Sequence, residues 1–181
     1  MTTPTLVLID VQQEYFTKGR PFFLERGAPT LRKARNLLRS ARAEGWTIIH
    51  VQHIQDAGVF EKGSTAADFV KGFSPLPGEH HVIKSQLSSY SAPEFGPLID
   101  KCQEAGSEVY VAGYGSTMCC LATIITGAHF GHKYNFVSDA SWARSPAKPL
   151  GESATHVTMT AVLGIHANVT TTEQVIETVP A

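Results

Sequence analysis

The feature that most constrains this chain is the alternation of short apolar runs with helix-length amphipathic stretches. Thr5-Leu-Val-Leu-Ile-Asp10 sets four apolar residues in a row ahead of an acid, as a buried strand does. Thr30 then can cap a helix running to Glu44. Leu31, Ala34, Leu37, Leu38 and Ala41 share one face of it, and Gly45 ends it. Trp46 to Gln52 reads as the second strand, His81 to Lys84 as a short third, Glu108 to Ala112 as the fourth, Tyr134 to Ser138 as the fifth and Asn168 to Thr171 as the sixth. Helices are predicted from Pro93 to Glu104, Met118 to Phe130 and Glu152 to Leu163, with a short one after the sixth strand. Strands joined through helices lie parallel. The predicted fold class is therefore α/β: a mostly parallel six-stranded sheet flanked by helices, three-layered and Rossmann-like. Its 181 residues are the size of one domain. Gln55 to Gly78 breaks the rhythm. It is largely polar with interspersed Gly and Pro, and loops of that length are commonly functional or mobile.

Composition narrows the partners. Hydrophobic residues make up 43% and charged residues 17%, with a formal charge of −1. That balance offers no basic surface for nucleic acid and no run of apolar residues long enough for a membrane. The opening residues run directly into a strand-like segment without the charged start and apolar stretch of a secretion signal. Of three cysteines, Cys119 and Cys120 are adjacent, a poor basis for a disulfide framework. Reduced thiols and a cytoplasmic location are expected, and a small molecule is the expected partner.

In open parallel sheets the ligand crevice lies beyond the carboxyl ends of the strands. Three reactive side chains fall at such ends: Asp10 after the first strand, Lys84 at the end of the third and Cys119 after the fourth. Gly113-Tyr-Gly115-Ser-Thr-Met-Cys119 stands between a strand and a helix, so the thiol is expected at a helix N-terminus, where the dipole and Lys84 favour the thiolate. Backbone N–H groups there can form an oxyanion hole, and Gly115 allows close approach of a substrate oxygen. Asp10 can then move a proton between Cys119 and a leaving group.

These segments resemble the isochorismatase-like cysteine hydrolases, which include nicotinamidases and N-carbamoyl amidohydrolases. Leu-Val-Leu-Ile-Asp10-Val-Gln12-Gln-Glu-Tyr15-Phe16 is similar to the family's opening strand and its acid. Val-Ile-Lys84 with Ser88-Ser-Tyr90 is similar to its lysine strand. Val-Ala-Gly113-Tyr-Gly115-Ser-Thr-Met-Cys119-Cys-Leu-Ala-Thr123 is similar to its nucleophile segment, with the spacing that selects Cys119 over Cys120. The resemblance covers nearly the whole chain. It implies a six-stranded parallel sheet, a catalytic set of Asp10, Lys84 and Cys119, an oxyanion hole from the N–H groups of Gly115 and Cys119, and a cis peptide at Tyr114–Gly115. It implies pocket-lining roles for Tyr15 and Tyr90, with Tyr114 beside them, places Asp139 and His156 where the family tends to carry such residues, and implies a homo-oligomer, dimer or tetramer.

Two departures shape the reading. Ser116-Thr117 stands where the family carries Thr-Asp, which bears on the substrate pocket. After Asp56 come Ala57, Gly58 and Val59, with no histidine until His80, so the Asp-x-His metal cluster of nicotinamidases is missing. No metal and no cofactor are expected.

The remaining candidates read as structure. Cys120, about 100° around a helix from Cys119, and Cys102 read as packing residues. His50 and His53, three apart on a strand, point to opposite faces and do not chelate together. His80-His81, His129, His132 and His156 read as surface or core residues, and Gly113-Tyr-Gly115 lacks the third glycine of a dinucleotide loop. The leading expectation is a hydrolase of a small amide or other C–N bond through an acyl-enzyme. The alternatives are a vinyl-ether hydrolase of the isochorismatase type, a thiol redox sensor, and a binding protein on the same scaffold.

Overall fold

The computed structural model describes residues 2–146 and 150–177. Six strands, β1 (Thr5–Ile9), β2 (Thr47–His53), β3 (His80–Lys84), β4 (Val109–Gly113), β5 (Asn135–Val137) and β6 (Asn168–Thr170), form one sheet in the order β3-β2-β1-β4-β5-β6. All neighbouring pairs are parallel. Five helices complete the layers: α1 (Gly27–Ala43), α2 (Phe95–Glu104), α3 (Leu121–His129), α4 (Gly151–Leu163) and α5 (Thr172–Glu177). The six strands and the parallel sheet are those the sequence predicts. Among the described residues, no helix is long and apolar enough to cross a membrane.

Strand pleating divides the core in two. Leu6 and Leu8 of β1 join Leu37, Leu38 and Ala41 of α1 and Val175 of α5 on one face. Val7 and Ile9 join Phe95 and Ile99 of α2, Ile124 of α3 and Leu163 of α4 on the other. Every residue of β1 is buried, which is why it reads as a continuous apolar run. Burial of each such Leu, Val or Ile contributes roughly 1.5–3 kcal/mol.

Two local expectations are revised. Helix α1 begins a turn before Thr30, and the Thr30 hydroxyl donates back to the Gly27 carbonyl at 2.9 Å instead of capping. The N–H groups of Glu25 and Arg26 ahead of it are held by the distant Glu152 carboxylate, a partner that local sequence does not reveal. The stretch after β2 is no loose excursion. Its backbone returns to the segment after β1 through Gln13 N–H to Asp68 O, Glu14 N–H to Ala66 O and Val70 N–H to Val11 O, and Phe60, Val70 and Phe73 are buried.

The strand order reverses between β1 and β4, the point at which open α/β sheets form their crevice. The two strands end in unusually close contact. A Cβ on Gly113, whose φ is +152°, would stand 2.1 Å from the Ile9 carbonyl oxygen, so glycine is required there. That approach places the residue after β1, Asp10, beside the segment after β4 that carries Cys119.

Candidate active site

Asp10 leaves β1 in the left-handed region, φ 53°. An aspartate tolerates this better than most residues, at a cost of order 1–3 kcal/mol. Its N–H bonds to Val51 O, and its carbonyl accepts from Gln12 N–H, which locks the turn. The carboxylate is fully buried. Lys84 ends β3, and its ammonium, also buried, lies 3.0 Å from Asp10 Oδ2 and 3.3 Å from Cys119 Sγ. Cys119 sits in a π-helical turn, Ser116–Cys120, that leads into α3. Such wide turns gather at functional sites. The structure thus brings together the three residues that the sequence singled out.

A fourth residue belongs to the cluster. His53 ends β2 in register with Lys84, and its Nδ1 accepts from Lys84 Nζ at 3.0 Å. The same nitrogen is 3.9 Å from Asp10 Oδ2 and 4.0 Å from Cys119 Sγ. The ring stacks on Phe60 at 4.9 Å and 10°. Phe60 is held at φ 54°, a strained setting for an aromatic residue. Gln12 clamps the His53 backbone on both sides, donating to its carbonyl and accepting from its N–H. The sequence reading weighed His53 only as a chelating partner of His50. Its signal was its place at a strand's carboxyl end beside the lysine strand. His50 itself is held elsewhere, by Glu79 at 2.7 Å.

The electrostatics revise one expectation. Burial pushes the Cys119 thiol well above its ordinary range, the Asp10 charge pushes it further, and Lys84 only partly opposes them. These influences oppose the thiolate that the sequence reading favours. Burial lowers Lys84, but Asp10 and Cys119 together outweigh it and hold the ammonium above the usual lysine range. Burial and then Lys84 push His53 below its ordinary value, so it is a neutral acceptor.

Ligand atoms of Asp10, His53 and Cys119 lie within 4.8 Å of one another, a spacing that could hold a metal ion. The Lys84 ammonium, however, touches all three. A cation would have to displace a paired, buried lysine, so the set does not fit a metal.

Of the other sequence candidates, Tyr15 stands at the cluster. Its hydroxyl is 2.7 Å from where a Cβ on Gly115 would be. Tyr114 is buried against Tyr15 and Phe16, but its hydroxyl faces Thr30 beneath α1 at 3.4 Å. Tyr90 is not brought to the cluster. Its hydroxyl bonds His132 and Tyr134, and its ring packs on Phe95 and Phe130. Asp139 caps the start of α5 through Thr172, and His156 packs on Trp142. No cis peptide occurs among the described residues; Gly115 instead turns through φ 69°. A cavity of about 540 Å³ lined by Gln52, Ile54, Lys62, Ser85 and Pro93 reaches Lys84. A larger groove of about 900 Å³ between α1 and α4 holds none of the reactive side chains.

Comparison with known proteins assigns the chain to a family. The chain is 29% identical to the isochorismatase family protein YddQ of Bacillus subtilis over 94% of its own length and 97% of that protein's. It is 25% identical to the maleamate amidohydrolase of Pseudomonas putida, over 72% and 68% of the two chains. Its fold matches the crystal structure of an isochorismatase from Pseudomonas putida with a TM-score of 0.83, at 28% identity over 94% and 89% of the chains. The isochorismatase domain is matched across residues 4–174, and the chain belongs to that family of hydrolases.

Proposed function

We propose that the protein hydrolyses a small amide or related C–N bond through a covalent intermediate on Cys119. The observation that carries this reading is the single ammonium of Lys84 joined to both the Asp10 carboxylate and the Cys119 sulfur in a buried site. Relatedness to a maleamate amidohydrolase supports it.

Asp10 takes the thiol proton as Sγ attacks the carbonyl carbon. A C–S bond forms, and the carbonyl electron pair moves onto oxygen. Lys84 offsets the negative charge on sulfur and keeps the carboxylate aimed at it, while His53 occupies one of its three N–H groups. In this reading the N–H groups of Gly115 and Cys119 meet the oxyanion. When the oxyanion collapses, the C–N bond breaks, and the amine leaves with the proton from Asp10. Water, deprotonated by Asp10, then attacks the thioester. The acid departs and the proton returns to sulfur. A positioned general base contributes about 10²–10⁴-fold, and one oxyanion donor about 10²–10³-fold.

Because burial and the Asp10 charge hold the thiol up, the scheme has Asp10 take its proton in concert with the attack and not before it. The deciding experiment is a turnover screen over maleamate, other small amides, ureido compounds and isochorismate, with wild type and Cys119→Ala side by side. Amide turnover that vanishes in Cys119→Ala is the expected result. Turnover confined to isochorismate would favour vinyl-ether hydrolysis, and turnover by Cys119→Ala would remove the nucleophile from the scheme.

A further inference from the structure

The Tyr15 side chain is fully buried, with its ring against Phe22, Phe60 and Tyr114. Its hydroxyl nevertheless has no hydrogen-bond partner among the described residues. Buried polar groups are paired in the great majority of cases, and an unpaired one is costly. Phenylalanine would fill the same space without that cost. Trp46 Nε1 is also unpaired, but Trp46 precedes β2, at the opposite end of the sheet from Cys119.

The position of the hydroxyl is what sets it apart. Gly115 lacks a side chain, and the space a Cβ would enter lies 2.7 Å from Tyr15 Oη and 3.7 Å from Cys119 N. The phenol hydroxyl therefore packs directly against the Gly115 backbone, within the segment that carries the nucleophile, and any side chain at 115 would collide with it. Burial first, then the neighbouring Cys119 and Asp10, hold the phenol well above its usual titration range, so it remains a donor.

We propose that Tyr15 Oη, unpaired and set against the backbone of the nucleophile segment, donates a hydrogen bond to the substrate's carbonyl oxygen as it becomes an oxyanion. The proposal rests on Cys119 being the nucleophile. It limits the substrate to an acyl compound whose oxygen gains charge as sulfur attacks. The phenol keeps its proton throughout. Its contribution is a donor fixed before reaction in a buried site, which stabilises the charged state more than the ground state.

Tyr15→Phe removes one oxygen and leaves the ring in place. The test follows the burst of p-nitrophenolate from p-nitrophenyl acetate with wild type, Tyr15→Phe and Cys119→Ala, and the urea midpoint of each. Tyr15→Phe is expected to slow the burst by about 10²-fold, the scale for one oxyanion donor, while its urea midpoint stays equal or rises. A purely structural hydroxyl would not produce loss of rate with retained or increased stability. A burst at the wild-type rate would overturn the proposal. So would a lowered urea midpoint, since it would mean that the hydroxyl is paired in the resting fold. A wild-type burst from Cys119→Ala would instead overturn the nucleophile assignment.

Discussion

Lys84 Nζ lies 3.0 Å from Asp10 Oδ2, with both side chains out of contact with solvent. A buried pair of this kind contributes little net stability compared with an apolar pair of the same shape, yet breaking it from one side is costly. Lys84→Met leaves Asp10 charged and alone, and is expected to destabilise the fold by about 3–5 kcal/mol. Adding Asp10→Asn removes the stranded charge and should recover part of the loss. A double-mutant cycle in urea reads the coupling directly. Additive losses would show that the two groups do not act as a pair.

Function should separate from this stability. Asp10→Asn keeps the shape of the side chain but cannot take a proton from Cys119. Turnover is expected to fall by about 10²–10⁴-fold in protein that circular dichroism shows to be folded, although with a lowered urea midpoint because Lys84 loses its partner. Retained turnover would assign the proton transfer to another group.

Much of this arrangement was legible in the sequence, for identifiable reasons. Asp10, Lys84 and Cys119 stand at or just after strand ends, and strand ends are set by local apolar runs. His53 and its Phe60 support were not legible together. Phe60 reaches the ring only because the chain after β2 folds back, with Gln55 N–H bonded to Phe60 O and Val70 N–H to Val11 O. Tyr90 was placed at the pocket because its segment follows the lysine strand. The short helical turn Ser89–Ser91 carries its ring toward His132 and Tyr134 instead. The burial that opposes the thiolate was not legible because it is a tertiary property: a motif records the nearby lysine, but not the solvent excluded by the rest of the fold.

His53 gives a prediction about positioning. His53→Leu keeps an apolar group on Phe60 but removes the acceptor for Lys84. The ammonium is then free to shift, and displacement of about 1 Å can cost on the order of 10²-fold in rate. The expected loss is in kcat, with KM little changed. His53→Asn, which retains a side-chain acceptor, should recover part of it. Equal loss in both variants would point to the ring itself.

Stability should fall with acid in two stages. His50, His53 and His156 are all lowered by burial. Groups with depressed folded values contribute stability that is present above their unfolded values and lost as protons bind the unfolded chain first. The first loss is therefore expected as pH drops below about 6.5. Burial opposes the ionised form of Glu79, but Arg42, Leu76 N–H and His50 outweigh it and hold the group at about 2. Its share is lost between about 4.5 and 2. Urea midpoints across pH would show both stages, and Glu79→Gln should flatten the lower one while deepening the upper, because Glu79 holds His50 up.

The state of Cys119 can be read by alkylation, since iodoacetamide attacks the thiolate. Burial and Asp10 hold the thiol up, so the reactive fraction at neutral pH is small. Below the thiol's pKa that fraction grows about tenfold per pH unit. The labelling rate of Cys119 is thus expected to climb through pH 9 without a plateau, with peptide mapping to separate it from Cys102 and Cys120. The two charged neighbours should then act in opposite directions. Lys84→Met removes the charge that favours the thiolate and should slow labelling at every pH. Asp10→Asn removes the charge that opposes it and should speed labelling, even as it abolishes most turnover. The labelling change reads the Asp10 charge beside the thiol, and the loss of turnover reads its part in proton transfer. A plateau below pH 7 in wild type would show that the thiolate is already formed at rest, and the proton-transfer role of Asp10 in the attack would fall with it.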